Sequence, residues 1–195
     1  MTTRDRLLDE AEFLFARSSV AGVTSRQITE AAEQRNTSAI SYHFGSREGL
    51  LLEILARRGA PIDEARGRRR DTLGAEPPLR DLVACLVEPY CAVLGTSEGR
   101  SYLRIVAQLR GRFAAWKVES DTSTTAHLSR ILDEIVATCD ASTAVRQERV
   151  LALIMVITGT TAERARRLDE DAEVALGHDE FVDQLTGICT AIIGG

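Results

Sequence analysis

An all-α fold is predicted by three features of this 195-residue sequence. Apolar residues recur at helical spacing along most of it, Ser, Thr and Asn residues that can cap helices interrupt the recurrences, and no strand–turn–helix alternation is present. With 44% hydrophobic residues and a net charge of −5, the composition is that of a globular chain and excludes a disordered, collagenous or disulfide-built one. The longest apolar run, Val150 to Ile157, is far shorter than the roughly 20 residues a membrane span needs, and the amino end carries no apolar signal core. The expectation is a cytoplasmic protein with no membrane partner. Cys85, Cys91, Cys139 and Cys189 lie 6, 48 and 50 positions apart, and His43, His127 and His178 are scattered, so no metal site and no cofactor is expected. Each cysteine sits in an apolar helical stretch and reads as a small buried hydrophobe.

The first helix is set by Leu7, Leu8, Ala11, Leu14 and Phe15, which fall on one face. After the loop that Gly22 ends, Thr24 or Ser25 caps a short second helix from Arg26 to about Ala32, with Ile28, Ala31 and Ala32 inward. Asn36 or Thr37 caps a third, whose inner side is Ala39, Ile40 and Phe44, and Gly45 stops it. Ser46 caps a fourth helix bearing Leu50, Leu51, Ile54 and Leu55, which is expected to fade between Arg57 and Arg70. The run Arg66 to Arg70 reads as a solvated helix end in preference to a nucleic-acid patch. Further helices are expected at about 78–94, with Pro89 as a kink, and at about 101–116, 122–138, 145–168 and 178–193. Charge is uneven along the chain: residues 1–70 carry +2 and the remainder −7, a weak sign that one end meets an anion.

Two short helices joined by a tight turn and braced by longer ones make a helix-turn-helix. Its second helix is narrow enough for a DNA major groove, and its first residues reach base edges. Those residues are Thr37, Ser38, Ala39 and Ser41; Tyr42 and His43 follow toward the groove wall. Ser25, Arg26, Gln27, Arg35, Asn36 and Arg47, close to helix starts, complete the expected DNA-binding set.

The stretch Val23 to Leu52, above all Gln34 to Leu50 with its core Tyr42-His43-Phe44-Gly45-Ser46-Arg47-Glu48-Gly49-Leu50, resembles the DNA-binding domain of TetR-family transcriptional regulators. Leu7-Leu8-Asp9-Glu10-Ala11 with Leu14-Phe15-Ala16 resembles that family's first helix. The resemblance implies a helix-turn-helix three-helix domain at 1–56 and a larger helical domain at 57–195 for effector binding and dimerisation. It also implies a homodimer on double-stranded operator DNA, a repressor released by a small-molecule effector, and no enzyme activity. Two departures stand out: Glu33 occupies the turn position where the family usually has glycine, and the turn is one residue longer than is common.

In the body, Tyr90, Gln108, Arg112, Phe113, Trp116 and His127 are the candidate effector contacts, within an apolar set that would equally serve an ordinary core. Apolar stripes on the last two helices place Leu153, Ile157, Thr161, Phe181, Leu185, Ile188 and Ile192 at a dimer interface, with a single-chain core as the alternative. An enzyme or carrier on a helical scaffold is the competing class; the sequence offers no nucleophile motif, no phosphate loop and no paired-histidine motif for it.

Overall fold

A computed structural model describes residues 1–34, 36–109 and 125–195. Among these residues there are nine α-helices and no strand: α1 (Thr3–Arg17), α2 (Ser25–Ala31), α3 (Ser38–Phe44), α4 (Arg47–Asp71), α5 (Leu79–Ala92), α6 (Ser97–Leu109), α7 (Ala126–Thr138), α8 (Thr143–Asp169) and α9 (His178–Gly194). A 3₁₀ turn, Val93–Gly95, follows α5, so Pro89 lies in the closing turn of that helix without interrupting it.

Local chemistry accounts for the starts. Thr2 and Asp5 form a capping box on α1, Thr24 and Gln27 one on α2, and the Ser46 hydroxyl accepts from the Gly49 amide to open α4. Thr37 precedes α3 with no side-chain cap; the Asn36 side-chain oxygen accepts from the Ser38 amide (2.9 Å) instead. Gly45 turns the chain between α3 and α4 at φ +74°, a conformation open to glycine at little cost. The start of α6 is earlier than its apolar spacing indicates, because the Thr96 hydroxyl accepts from the Gly99 amide (3.0 Å) and caps it there.

The fourth helix does not fade. It runs unbroken to Asp71 across the expected domain boundary at 56, and the core is continuous from Leu7 to Ile193. Tertiary ion pairs replace solvation along it. Arg57 and Arg58 bind the buried Glu12 of α1 (2.5 and 2.8 Å), Arg69 binds Glu88 of α5 (2.8 Å), and Arg70 binds Glu134 of α7 (2.6 Å). Within the run 66–70 only Arg68 is exposed, and it faces Glu64 at 3.6 Å, so the run is mainly an interhelical clasp.

Packing follows from these faces. α1 lies against α2, α4 and α6; α4 against α5, α6 and α7; α6 against α8; and α9 against α5 and α8. Buried threonines of the last two helices satisfy their hydroxyls within the helix: Thr158, Thr161 and Thr186 donate to the carbonyls of Ile154, Ile157 and Val182. All four cysteines are free and buried, as their apolar settings predict.

Candidate nucleic-acid interface and body cavity

The turn between α2 and α3 begins with a left-handed residue. Glu33 adopts φ +57°, its amide donates to the Glu30 carbonyl (3.1 Å), and the Gln34 amide donates to the Thr29 carbonyl (2.7 Å). This pair of bonds is the helix-ending motif in which glycine is favoured. The turn directs α3 outward. Ile40 is its buried anchor, Ala39 and Phe44 are half-buried against the core, and Asn36, Thr37, Ser38, Ser41 and Tyr42 are exposed. Tyr42 is 84% exposed, and its ring meets the half-buried His43 edge-on at 4.9 Å. One surface thus presents three hydroxyl-bearing small residues, an amide and a phenol, with little side-chain bulk to hold a partner away.

The flanking residues are placed differently. Arg26 is exposed and donates to Glu30 (2.7 Å), an interaction that raises its pKa, and Ser25 is half-buried beside it. The Gln27 side chain is engaged in the α2 cap, accepting from the Thr24 amide (2.8 Å). Arg47 departs most from expectation. Its guanidinium turns inward, donating to the carbonyls of Val23 (2.9 Å) and Val20 and lying over the Phe15 ring at 5.0 Å. The α1–α2 loop carbonyls have no helical partner of their own, and Arg47 satisfies them. It is a brace of the three-helix unit, not part of the exposed α3 surface. Arg35 lies outside the described residues.

In the body, a partly open cavity of about 60 Å³ lies between five helices. α4 contributes Arg66, α5 Leu86 and Tyr90, α6 Tyr102 and Val106, α7 Leu128 and Leu132, and α8 Leu153, Ile154, Ile157 and Thr158. Tyr90 is 4% exposed, and its hydroxyl has no hydrogen-bond partner among the described residues. Burial holds the Tyr90 phenol well above the usual tyrosine range and pushes Tyr102 up to about 12. The Arg66 guanidinium carbon stands 5.7 Å from the centre of the Tyr90 ring, and its Nε is buried and unpartnered. Burial also lowers the Arg66 pKa.

Of the expected effector contacts, Tyr90 alone among the described ones lines this cavity. Gln108 instead clasps the head to the body, donating to the Phe15 carbonyl (2.9 Å) and accepting from the Val20 amide (2.7 Å). The His127 backbone amide donates to Asp63 (2.9 Å), and its ring packs on Gly67, where a Cβ would come within 2.5 Å of it. Arg112, Phe113 and Trp116 lie outside the described residues. Arg66 and Tyr102 were missed by the sequence reading. The signal for Arg66 was present: it stands one helical turn after the buried Ile62, on the inward face of α4.

The expected dimer residues divide in two. Leu153, Ile157, Thr161 and Leu185 are buried within the protomer's own core and unavailable to a partner. The stripes that place them there face α5 and α6, which the sequence alone does not orient. Phe181 and Ile192 are half-buried, whereas Ile188 is 52% exposed and Leu151 of α8 is 42% exposed.

This architecture, a helix-turn-helix head on a larger helical body, is the fold of the TetR-family regulators. A putative TetR-family transcription regulator from Shewanella sp. PV-4 superposes with a TM-score of 0.62 at 11% identity, covering 97% of this chain and 96% of that one. AmtR of Mycobacterium smegmatis superposes with a TM-score of 0.60 at 17% identity, covering 100% of this chain and 87% of that one. In sequence, the chain is 34% identical over 89 residues to the HTH-type transcriptional repressor NicS of Pseudomonas putida, a match over 45% of this chain and 42% of that protein. The chain thus matches less than half the length of this relative. No family model matches the chain. No helix of the described residues is long and apolar enough to cross a membrane, and no group of three metal-ligating side chains is present among them.

Proposed function

We propose that this protein is a dimeric, sequence-specific DNA-binding regulator acting in the cytoplasm, a repressor whose DNA affinity falls when a small molecule occupies the body cavity. The observation that carries the reading is the outward presentation of α3, with Thr37, Ser38, Ser41 and Tyr42 exposed on a helix whose other side is anchored by Ile40. Such a helix fits a major groove about 12 Å wide, and hydroxyls bond there to bases or phosphates. Arg26 and Arg35 supply further phosphate contacts in this reading, with Ser25, Gln27, Asn36, Ala39 and His43 bordering the contact face. Arg47 contributes through the geometry it enforces.

Exposed Leu151 and Ile188, next to half-buried Met155 and Ile192, support pairing of two protomers through the outer faces of α8 and α9. A two-fold pair would set its two α3 helices about 34 Å apart, or a multiple of that, on a near-palindromic site. Release follows from the continuity of α4. Arg47 braces the head at one end, and Arg66 lines the cavity about 28 Å away at 1.5 Å per residue. A ligand that favours a different seating of α4 alters the relative aim of the two α3 helices. It must bind that arrangement more tightly than the DNA-competent one, or it shifts nothing.

The test is a gel-shift titration with genomic fragments over a range of salt. We expect selective retention of a few fragments, weakening steeply as salt rises, and loss of at least about 10-fold in affinity for Tyr42→Ala with an unchanged melting temperature. Absence of selective binding at every salt concentration refutes the reading.

A further inference from the structure

Arg66 is a largely buried cation without a complete partner among the described residues. Among the described residues the carboxylate paired with it is Asp63, with Nη1 and Oδ1 3.8 Å apart, too long for a hydrogen bond. Asp63 is itself committed: one oxygen accepts from the His127 amide (2.9 Å) and the other from the Leu128 amide (2.8 Å), so it caps α7. Two orphaned groups therefore belong to one cavity, the Arg66 Nε–H and the Tyr90 hydroxyl, in walls otherwise made largely of Leu, Val and Ile. Arginine cannot escape the cost of burial by losing its proton, as lysine or histidine would. Desolvated donors with no acceptor are expensive, and native interiors rarely keep them without a reason.

We propose that this cavity binds a short-chain carboxylic acid as its carboxylate, with Arg66 matching the charge, the Tyr90 hydroxyl donating to a carboxylate oxygen, and the alkyl end lying on Leu86, Leu132 and Ile157. This rests on the regulator reading only for its consequence, since binding itself is independent of DNA. A water needs roughly 10–15 Å³ of such volume, so 60 Å³ has room for an acid of about four to six non-hydrogen atoms. A neutral molecule of the same shape leaves the guanidinium unmatched, and a bare inorganic anion leaves the apolar walls unfilled.

The experiment is calorimetric titration and thermal shift of the full chain with acetate, propionate and butyrate, with butyramide as the uncharged isostere and chloride at equal ionic strength as the anion control. Propionate and butyrate should bind saturably and raise the melting temperature, while butyramide and chloride do neither. Tyr90→Phe, which removes only an unpartnered hydroxyl and should fold normally, should weaken butyrate by about 10-fold. Arg66→Met should abolish binding; should that variant fail to fold, Tyr90→Phe alone decides. Equal binding of butyrate and butyramide, no binding of any acid, or butyrate binding untouched by Tyr90→Phe overturns the proposal. The two readings fail separately: acids that bind without changing DNA retention count against the release mechanism alone, and selective DNA retention without acid binding counts against the cavity assignment alone.

Discussion

Replacing Glu33 by glycine should stabilise the protein. The residue holds φ +57° at the end of α2, where an L side chain costs about 1–2 kcal/mol relative to the right-handed region. Glycine removes that strain but gains freedom in the unfolded chain worth about 0.5–1 kcal/mol. The substitution also removes the exposed Arg6–Glu33 ion pair (3.3 Å), a contact of a few tenths of a kcal/mol. The net gain is about 0.5 kcal/mol, or roughly 1–2 °C in melting temperature for a chain of this length. Glu33→Ala is the necessary companion, because it loses the same ion pair while keeping a Cβ in the strained conformation, so it should match or fall slightly below the parent. Differential scanning calorimetry of the three proteins orders them. An alanine variant as stable as the glycine variant would show that left-handed geometry is not what this position imposes. Both variants remove a negative charge beside α3, so both should tighten DNA binding at low salt, and by the same factor.

Other substitutions test the braces. Arg47→Ala should cost about 2–3 kcal/mol in chemical denaturation, since it leaves the Val20 and Val23 carbonyls unpaired and uncovers Phe15; a loss confined to DNA affinity would contradict the inward placement. Glu12→Gln should destabilise by about 2–3 kcal/mol, less than for a wholly buried pair because Arg57 and Arg58 can regain water, and urea unfolding measures it. Stability should decline in alkali. Burial pushes the Cys91 and Cys189 thiols from 9.0 up to about 12, so between those values the unfolded chain releases protons that the folded one keeps. Stability is then full below pH 9 and falls as pH rises toward 12. Thermal melts from pH 8 to 10.5 should show the decline, and the double variant Cys91→Ala, Cys189→Ala should flatten it.

Much of the head was legible because its determinants are local. The cap at Ser46, the stop at Gly45 and the apolar faces of α1 and α3 depend on neighbours within a turn or two, and the structure has them where the sequence places them; of the two caps the sequence offers α2, Thr24 and Ser25, the structure uses Thr24. The continuation of α4 to Asp71 was not legible, because it depends on Glu12, Glu88 and Glu134, carboxylates far along the chain. Side-chain direction was the second blind spot. Nearness to a helix start points Arg47 outward, yet two loop carbonyls and an aromatic face turn it inward. The residue types of Gln108 and His127 suit a cavity, and their hydrogen bonds and packing hold them at other joints. For α8 and α9 the apolar spacing is evident, but a stripe does not say whether it meets its own core or a second copy; Leu153 is buried in its own core and Ile188 is exposed.

The inward turn of Arg47 bears on how kinship among such proteins is read. The most recognisable run of the sequence, Tyr42 through Leu50, holds Gly45, Ser46 and Arg47, which lock the elbow between α3 and α4, while in the proposed function the groups free to discriminate one base pair from another are Thr37, Ser38, Ser41 and Tyr42. Chains that spell this run alike therefore share a hinge and say little about sharing an operator, and a change in target specificity can be sought by rewriting Thr37, Ser38 and Ser41 while the elbow is left intact.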